Sequence, residues 1–296
     1  MSAAQRLINQ AGVVALVGPQ ASRNAIPVAE VAEGAKVPMI SPWSTNPQTT
    51  RRGDVWKKYV FRAAFIDPFQ GQVMARFAIE ELGALRAAVL YDVASEYNKG
   101  IAEIFRQVFE DAGGEVVAFE SYTTGEEDFR TQLTAIRDAG AEVLFLPNYY
   151  NEVPLQVAQA REVGVDAAMI GSDSWGGIEA EHLGALEGCF FSTHYATDIA
   201  GERAERFIAA YEERYGQVPD DVAALTYDAF GLLFEAIESQ GKWDSESIRN
   251  GLASITRYEG VTGVMDFRAG TGDPIKSAVI LQVTGGRMVF YRLAEP

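Results

Sequence analysis

The chain has 296 residues, 48% of them hydrophobic, and a formal net charge of −16. At about 150 residues per domain its length suggests two domains, and its acidic balance lacks the basic footprint that nucleic acid or an anionic membrane surface requires. A single cysteine, Cys189, excludes an internal disulfide; within the run GCFFS it reads as a small buried side chain rather than a reactive thiol.

No run of about 18 apolar residues is present. The N-terminal MSAAQRLINQAG lacks the charged-then-apolar pattern of a secretion signal and reads as an amphipathic helix, so the chain is expected to start in mid-fold. Val13–Val17 is a short apolar run of the kind buried on both faces of a parallel sheet. Gly18-Pro19 stops it, a helical pattern follows from Ser22, Gly34 and Pro38 punctuate the exit, and Val37–Ile40 is a second apolar run: a βαβ unit. Asp67-Pro68 opens a helix that ends at Gly83. Arg86–Tyr91 reads as a strand, Tyr97–Ala112 as a helix, Glu115–Tyr122 as a strand, and Asp128 as the cap of the next helix. Glu142–Leu146 is a strand, Val153–Val163 a helix, Ala167–Ile170 a strand, Ile178–Leu183 a short helix and Gly188–Ser192 a strand. Helical patterns then cover Glu202–Tyr215, Asp221–Ser239 and Ser245–Ser254. The tail, with Val264–Phe267, Ser277–Val283 and Met288–Leu293 between glycine-rich turns, reads as a β meander.

Alternation of strand and helix argues for parallel α/β layers. FRAAFIDP and STHYATD are polar connections between patterned blocks and read as hinge crossings, with a third near Gly260–Gly263. Lobe one is then 1–64 and 194–262, and lobe two is 65–193 and 263–296.

In open α/β sheets ligands bind beyond the carboxyl ends of the strands. Ser22, Trp43 and Thr45, Tyr97, Tyr149 and Tyr150, and Asp173 to Trp175 all lie there, with Ser41 and Ser44 among them. A set of hydroxyls, aromatics and one carboxylate, without a basic pair for phosphate, suits a zwitterion: hydroxyl and N–H donors for an α-carboxylate, Asp173 for an α-ammonium, aromatics as walls. Competing readings stand beside these. Ser22 and Asp173 are equally placed to cap helices, Tyr149 and Tyr150 to pack a sheet edge, Trp43 and Trp175 to be interlobe or surface aromatics, and Tyr227 to be core. His182 and His194 lack Cys or His partners at metal-ligand spacing. No dinucleotide fingerprint, phosphate loop or nucleophile elbow occurs, so neither metal nor cofactor is expected and the chain reads as a binder, not an enzyme.

GPQAS, PMISPWSTNP, YDVASEYNKG, the Tyr149 region with AQAREVG, MIGSDSW and LTYDAF together resemble, in order, the type I periplasmic solute-binding proteins of ABC importers, and most closely their leucine/isoleucine/valine-binding branch. The resemblance implies an α/β fold of two doubly wound parallel-sheet lobes joined by hinge crossings, closing on an amino acid. It implies that Ser22 and Thr45 hold the ligand carboxylate, that the Trp43 backbone carbonyl and Asp173 meet the ammonium, and that Tyr97 and Tyr149 line the cleft. It further implies an ABC permease as partner and a periplasmic or extracytoplasmic location. Asp173 is one methylene shorter than the glutamate common in the branch, and Trp43 stands where a small residue is usual; both bear on which amino acid fits. Family members carry a signal peptide and one more βαβ segment ahead of the helix that MSAAQRLINQ resembles, so the first βαβ segment of lobe one is expected to be missing. A ligand-sensing regulator or receptor domain of the same fold, binding amides or amino acids, is the alternative; a Rossmann-like enzyme is a more distant one.

Overall fold

The computed structural model describes residues 2–199, 201–268 and 270–296. It divides into two compact units, one made of 1–66, 199–277 and 295–296, the other of 67–198 and 278–294. The first unit opens with α1 (Ser2–Asn9), β1 (Leu16–Val17), α2 (Ser22–Ala35), β2 (Met39–Ser41), a hairpin of β3 (Arg51–Arg52) and β4 (Val55–Trp56), and β5 (Val60–Arg62). The second unit follows with α3 (Asp67–Glu80), β6 (Arg86–Asp92), α4 (Glu96–Asp111), β7 (Glu115–Tyr122), α5 (Arg130–Asp138), β8 (Val143–Leu146), α6 (Val153–Glu162), β9 (Ala168–Gly171) and β10 (Phe190–Thr193). The chain returns to the first unit for α7 (Glu202–Tyr215), α8 (Asp221–Gln240), α9 (Ser245–Ser254), β11 (Arg257–Gly260), β12 (Gly263–Phe267) and β13 (Pro274–Ile275), then to the second for β14 (Ala278–Thr284) and β15 (Arg287–Ala294).

The second unit is built on a sheet ordered β15-β14-β10-β9-β8-β6-β7. Its strands from β10 to β7 run parallel, β14 lies antiparallel to β10, and β15 is antiparallel to β14, the pairing that a tight turn allows. Gly285 and Gly286 both take positive φ (58° and 69°) between paired Thr284 and Arg287, as the tight hairpin turn demands. Apolar runs such as Val143–Leu146 are fully buried, as expected of strands covered on both faces. Phe129, Leu133, Leu144, Val157, Trp175 and Phe191 lie in one core cluster. Cys189 is buried at its edge, and burial pushes its thiol up to about 11, so it stays protonated and inert.

In the first unit β1, β2 and β5 form a parallel sheet in that order. The run Val13–Val17 departs from expectation here. Only Leu16 is buried and Val14 is exposed, because β1 is two residues long and, among the described residues, pairs with β2 alone. Helix α2 continues through Gly34 to Ala35, and Lys36 in the left-handed conformation (φ 56°) ends it instead. FRAAFIDP is not a polar connection over its length: Phe61 and Arg62 belong to β5 and are buried, and the unit boundary falls at 66/67. STHYATD likewise begins as the buried end of β10, with the boundary at 198/199. Ile178–Leu183 gives way to a 3-10 segment over Ala180–Leu186.

Gly260–Gly263 is a turn inside the first unit, and the chain passes to the second unit at 277/278 and returns at 294/295. The Asp228 carboxylate, fully buried on α8, accepts the Val261 N–H at 2.7 Å, the Thr262 N–H at 2.9 Å and the Thr262 hydroxyl at 2.6 Å, which pins the turn. A Cβ at Gly260 would lie 2.4 Å from the Asp228 Oδ2, so only glycine passes there. Sequence patterning missed this because the anchor lies more than thirty positions upstream.

Lys276 closes the same network. Its buried ammonium donates to the Thr262 hydroxyl and lies 3.5 Å from the Ala63 carbonyl. Burial pushes its pKa down to about 8, against the upward pull of Asp228 and then Asp221. The folded chain therefore releases this proton at about 8 and the unfolded chain at about 10.5. Between those values the unfolded state binds more protons, so stability contributed at this site rises with pH, and below about 8 the burial cost is fully present. Lys276→Met is expected to flatten that rise relative to wild type in urea unfolding followed across the window; equal slopes in the two proteins would reject it.

Candidate functional site

In the first unit the site begins where β2 ends. The loop 42–50 turns back over the start of α2, and its hydroxyls converge. The Ser22 Oγ lies 2.9 Å from the Ser44 Oγ, which lies 2.7 Å from the Thr49 Oγ1, and the Asn46 N–H points at the Ser22 Oγ at 3.4 Å. Ser22 is not the helix cap. Ala21 holds that position without a side-chain bond, so the Ser22 hydroxyl is directed across to the loop. The Ser41 hydroxyl donates to the Pro19 carbonyl at 2.9 Å and accepts the Ser44 N–H at 3.3 Å, tying the end of β2 to the loop after β1. The Trp43 indole donates to the Asp221 carboxylate at 3.1 Å, which makes it a structural partner of α8 rather than a surface ring.

Thr45 differs from its neighbours. It is 1% exposed, yet among the described residues neither its N–H nor its hydroxyl meets a hydrogen-bond partner. Buried backbone donors are nearly always paired, which sets this N–H, with the O–H beside it, apart from the other donors of the loop.

The second unit carries its own cluster around Asp173, in the 3-10 turn Asp173–Trp175 beyond β9. Ser172, not Asp173, occupies the cap position. The Tyr97 hydroxyl, in the first turn of α4, donates to the Asp173 Oδ1 at 2.6 Å and has the Ser172 Oγ at 2.8 Å. The His194 Nε2 lies 3.1 Å from the Asp173 Oδ2, and the Asp173 N–H donates to the Gln70 Oε1 at 2.6 Å. Burial first, then the negative charges of Asp173 and Asp67, hold the Tyr97 phenol far above its usual ionisation range, so it remains a donor at any physiological pH. The Tyr149 ring sits 5.4 Å from that of Tyr97, an aromatic pair at the strand ends.

Other expected residues fall elsewhere. Trp175 is neither interlobe nor surface: fully buried, its indole donates to the Leu146 carbonyl at 3.0 Å inside the core of the second unit. Tyr150 is exposed, packed over Gly177. Tyr227 is half exposed, its ring 4.7 Å from that of Phe207 on α7, and not core. Gln70 and His194 were not singled out for the site. His194 directly follows the end of β10, so the strand-end rule could have found it; Gln70 lies within α3 and carried no signal. Glu179, Glu181 and His182 group together on the surface, all exposed, as acidic side chains of a strongly acidic chain often do. Among the described residues no helix is long and apolar enough to cross a membrane.

The hydroxyl loop after β2 and the carboxylate turn after β9 both lie within a family model for periplasmic binding proteins that matches residues 1–287. The chain belongs to the periplasmic binding protein family. This periplasmic binding protein is 28% identical over 284 residues to the leucine-, isoleucine-, valine-, threonine- and alanine-binding protein of Pseudomonas aeruginosa, covering 90% of this chain and 70% of that one. The chain spans 48% and 55% of the length of two further curated relatives that it matches. A leucine binding protein from Thermotoga maritima superposes with a TM-score of 0.92 at 34% identity, over 100% of this chain and 83% of that one. A branched-chain amino acid transporter substrate binding protein from Streptococcus pneumoniae, solved in complex with isoleucine, gives 0.90 at 31% identity over the same shares. The parallel-sheet fold of this chain is shared with these neighbours.

Proposed function

We propose that this periplasmic binding protein captures an amino acid, of the branched-chain or a similar class, outside the cytoplasm and delivers it to an ABC permease. The observation that carries the reading is Thr45, a buried residue whose N–H and hydroxyl meet no hydrogen-bond partner among the described residues, next to the Ser22 hydroxyl. Two donors on a neutral loop recognise a carboxylate without needing a positive side chain, because charge-assisted hydrogen bonds to an anion are about twice as strong as neutral ones. In this reading Ser22 and Thr45 take the α-carboxylate and the Trp43 carbonyl and Asp173 take the α-ammonium. Tyr97 and Tyr149 border the side chain. The relatives named for leucine, isoleucine and valine support the ligand class, and the ion-pair chemistry supports a zwitterion over an amide.

Titration calorimetry against a panel of amino acids, their amides and their alcohols tests this. A branched-chain amino acid is expected to bind, and its amide and alcohol to bind far more weakly. Failure of every zwitterion in the panel would sink the assignment, and a preference for the amides would turn it toward a sensor of neutral ligands.

A further inference from the structure

Arg62 is the largest charged side chain that the first unit buries completely, and it has no part in the ligand contacts proposed for the site. It sits on β5, where its backbone N–H donates to the Gly272 carbonyl at 2.9 Å. Its guanidinium reaches the site loop from behind. Nη1 donates to the Ser44 carbonyl at 2.6 Å, and Nη2 donates to the Asn46 carbonyl and the Thr50 Oγ1, both at 2.9 Å. Nε donates to the Asp273 Oδ1 at 2.7 Å, and the Thr50 hydroxyl donates to that same oxygen at 2.7 Å. One planar fork thus holds the carbonyls on either side of Thr45 and is itself neutralised by a carboxylate from a segment 211 positions away.

In a planar trans peptide the C=O and the N–H point in opposite directions, and the only cis bond in the described chain is Gly18-Pro19. With the Ser44 carbonyl turned onto Arg62, the N–H of the same peptide, which is that of Thr45, must face the other way. The guanidinium therefore dictates which side of the loop presents the unmet donor.

We propose that Arg62, anchored by Asp273, is a positioning residue for carboxylate recognition: it fixes the peptide planes flanking Thr45 so that the Thr45 N–H faces the ligand, without touching the ligand itself. The inference rests on the amino-acid reading of the site. It predicts a loss confined to the carboxylate end of the ligand, which general loosening of the fold would not produce.

The experiment compares leucine with leucinol, which keeps the ammonium and side chain but lacks the carboxylate, on the full chain. Removing one member of a buried ion pair strands the other, so the main variant is the charge-neutral pair Arg62→Met with Asp273→Leu, and Arg62→Lys serves as the conservative partner. Wild type is expected to prefer leucine strongly. The double variant is expected to lose at least about tenfold in leucine affinity and less than about threefold in leucinol affinity, so that the preference collapses. Arg62→Lys, which keeps the charge but not the fork, is expected to recover only part of it. Equal losses for both ligands, or a double variant that retains the wild-type preference, would overturn this inference alone. A wild-type chain that binds no amino acid of the panel overturns the amino-acid reading and this inference with it.

Discussion

Asp173→Asn is expected to lower affinity for a branched-chain amino acid by about 2–4 kcal/mol, roughly 30- to 700-fold, while leaving the fold in place. Asp173 is 1% exposed, so little water screens its charge. A carboxylate offers about four lone-pair positions. Tyr97 takes one on Oδ1 and the His194 ring faces Oδ2, which leaves acceptor capacity on both oxygens for an ammonium. Asparagine matches the size of the side chain and can still accept from Tyr97 through its carbonyl. It removes the negative charge and turns one acceptor into a donor, so an ammonium brought there would meet an N–H instead of a lone pair. Calorimetry with leucine, together with a urea unfolding curve of the ligand-free variant, checks it. An affinity within about threefold of wild type would show that the ammonium is recognised elsewhere.

Trp175→Ala is expected to lower unfolding stability by about 3–5 kcal/mol, the usual cost of truncating a buried large aromatic. The ring is fully buried, lies 5.8 Å from that of Phe191, and donates through its indole to the Leu146 carbonyl. It also fills the space over Gly171, where an added Cβ would sit 2.0 Å from the indole carbons. Alanine there leaves a cavity that the flat surface of β9 and the neighbouring core cannot close. Gly171→Ala tests the same packing from the opposite side, and overpacking is expected to cost about 1–3 kcal/mol. Urea unfolding followed by circular dichroism measures both. A loss under about 1 kcal/mol for Trp175→Ala would contradict the ring's place in the core.

Local patterning accounts for most of the helices and for the parallel strands of the second unit. Glu202–Tyr215 and Ser245–Ser254 have the bounds that periodicity and capping residues set, because a helix is decided by side chains three and four positions apart. Short elements escaped that reading. β5 hides in FRAAFIDP because three residues are too few to show alternation, and its closing arginine looks like a surface charge until its buried partners are seen. Gly260–Gly263 looks like a linker for a similar reason: glycines mark turns and crossings alike, and only the Asp228 carboxylate decides between them.

The residue types of the proposed site were legible for one physical reason. A parallel sheet places every strand's carboxyl end on one edge, so the residues just past the strand ends already include Ser22, Thr45, Tyr97, Tyr149 and Asp173. The part each of them plays there is a matter of contacts that no local window contains. Ser22 meets Ser44 rather than capping its helix, Asp173 is shared by Tyr97 and His194, and Arg62 with Asp273 sets the direction of the Thr45 N–H from the far side of the loop. Periodicity and turn chemistry act over a few residues and survive in the sequence; hydrogen bonds spanning 18 to 211 positions exist only once the chain has closed on itself, so only the tertiary structure could decide them.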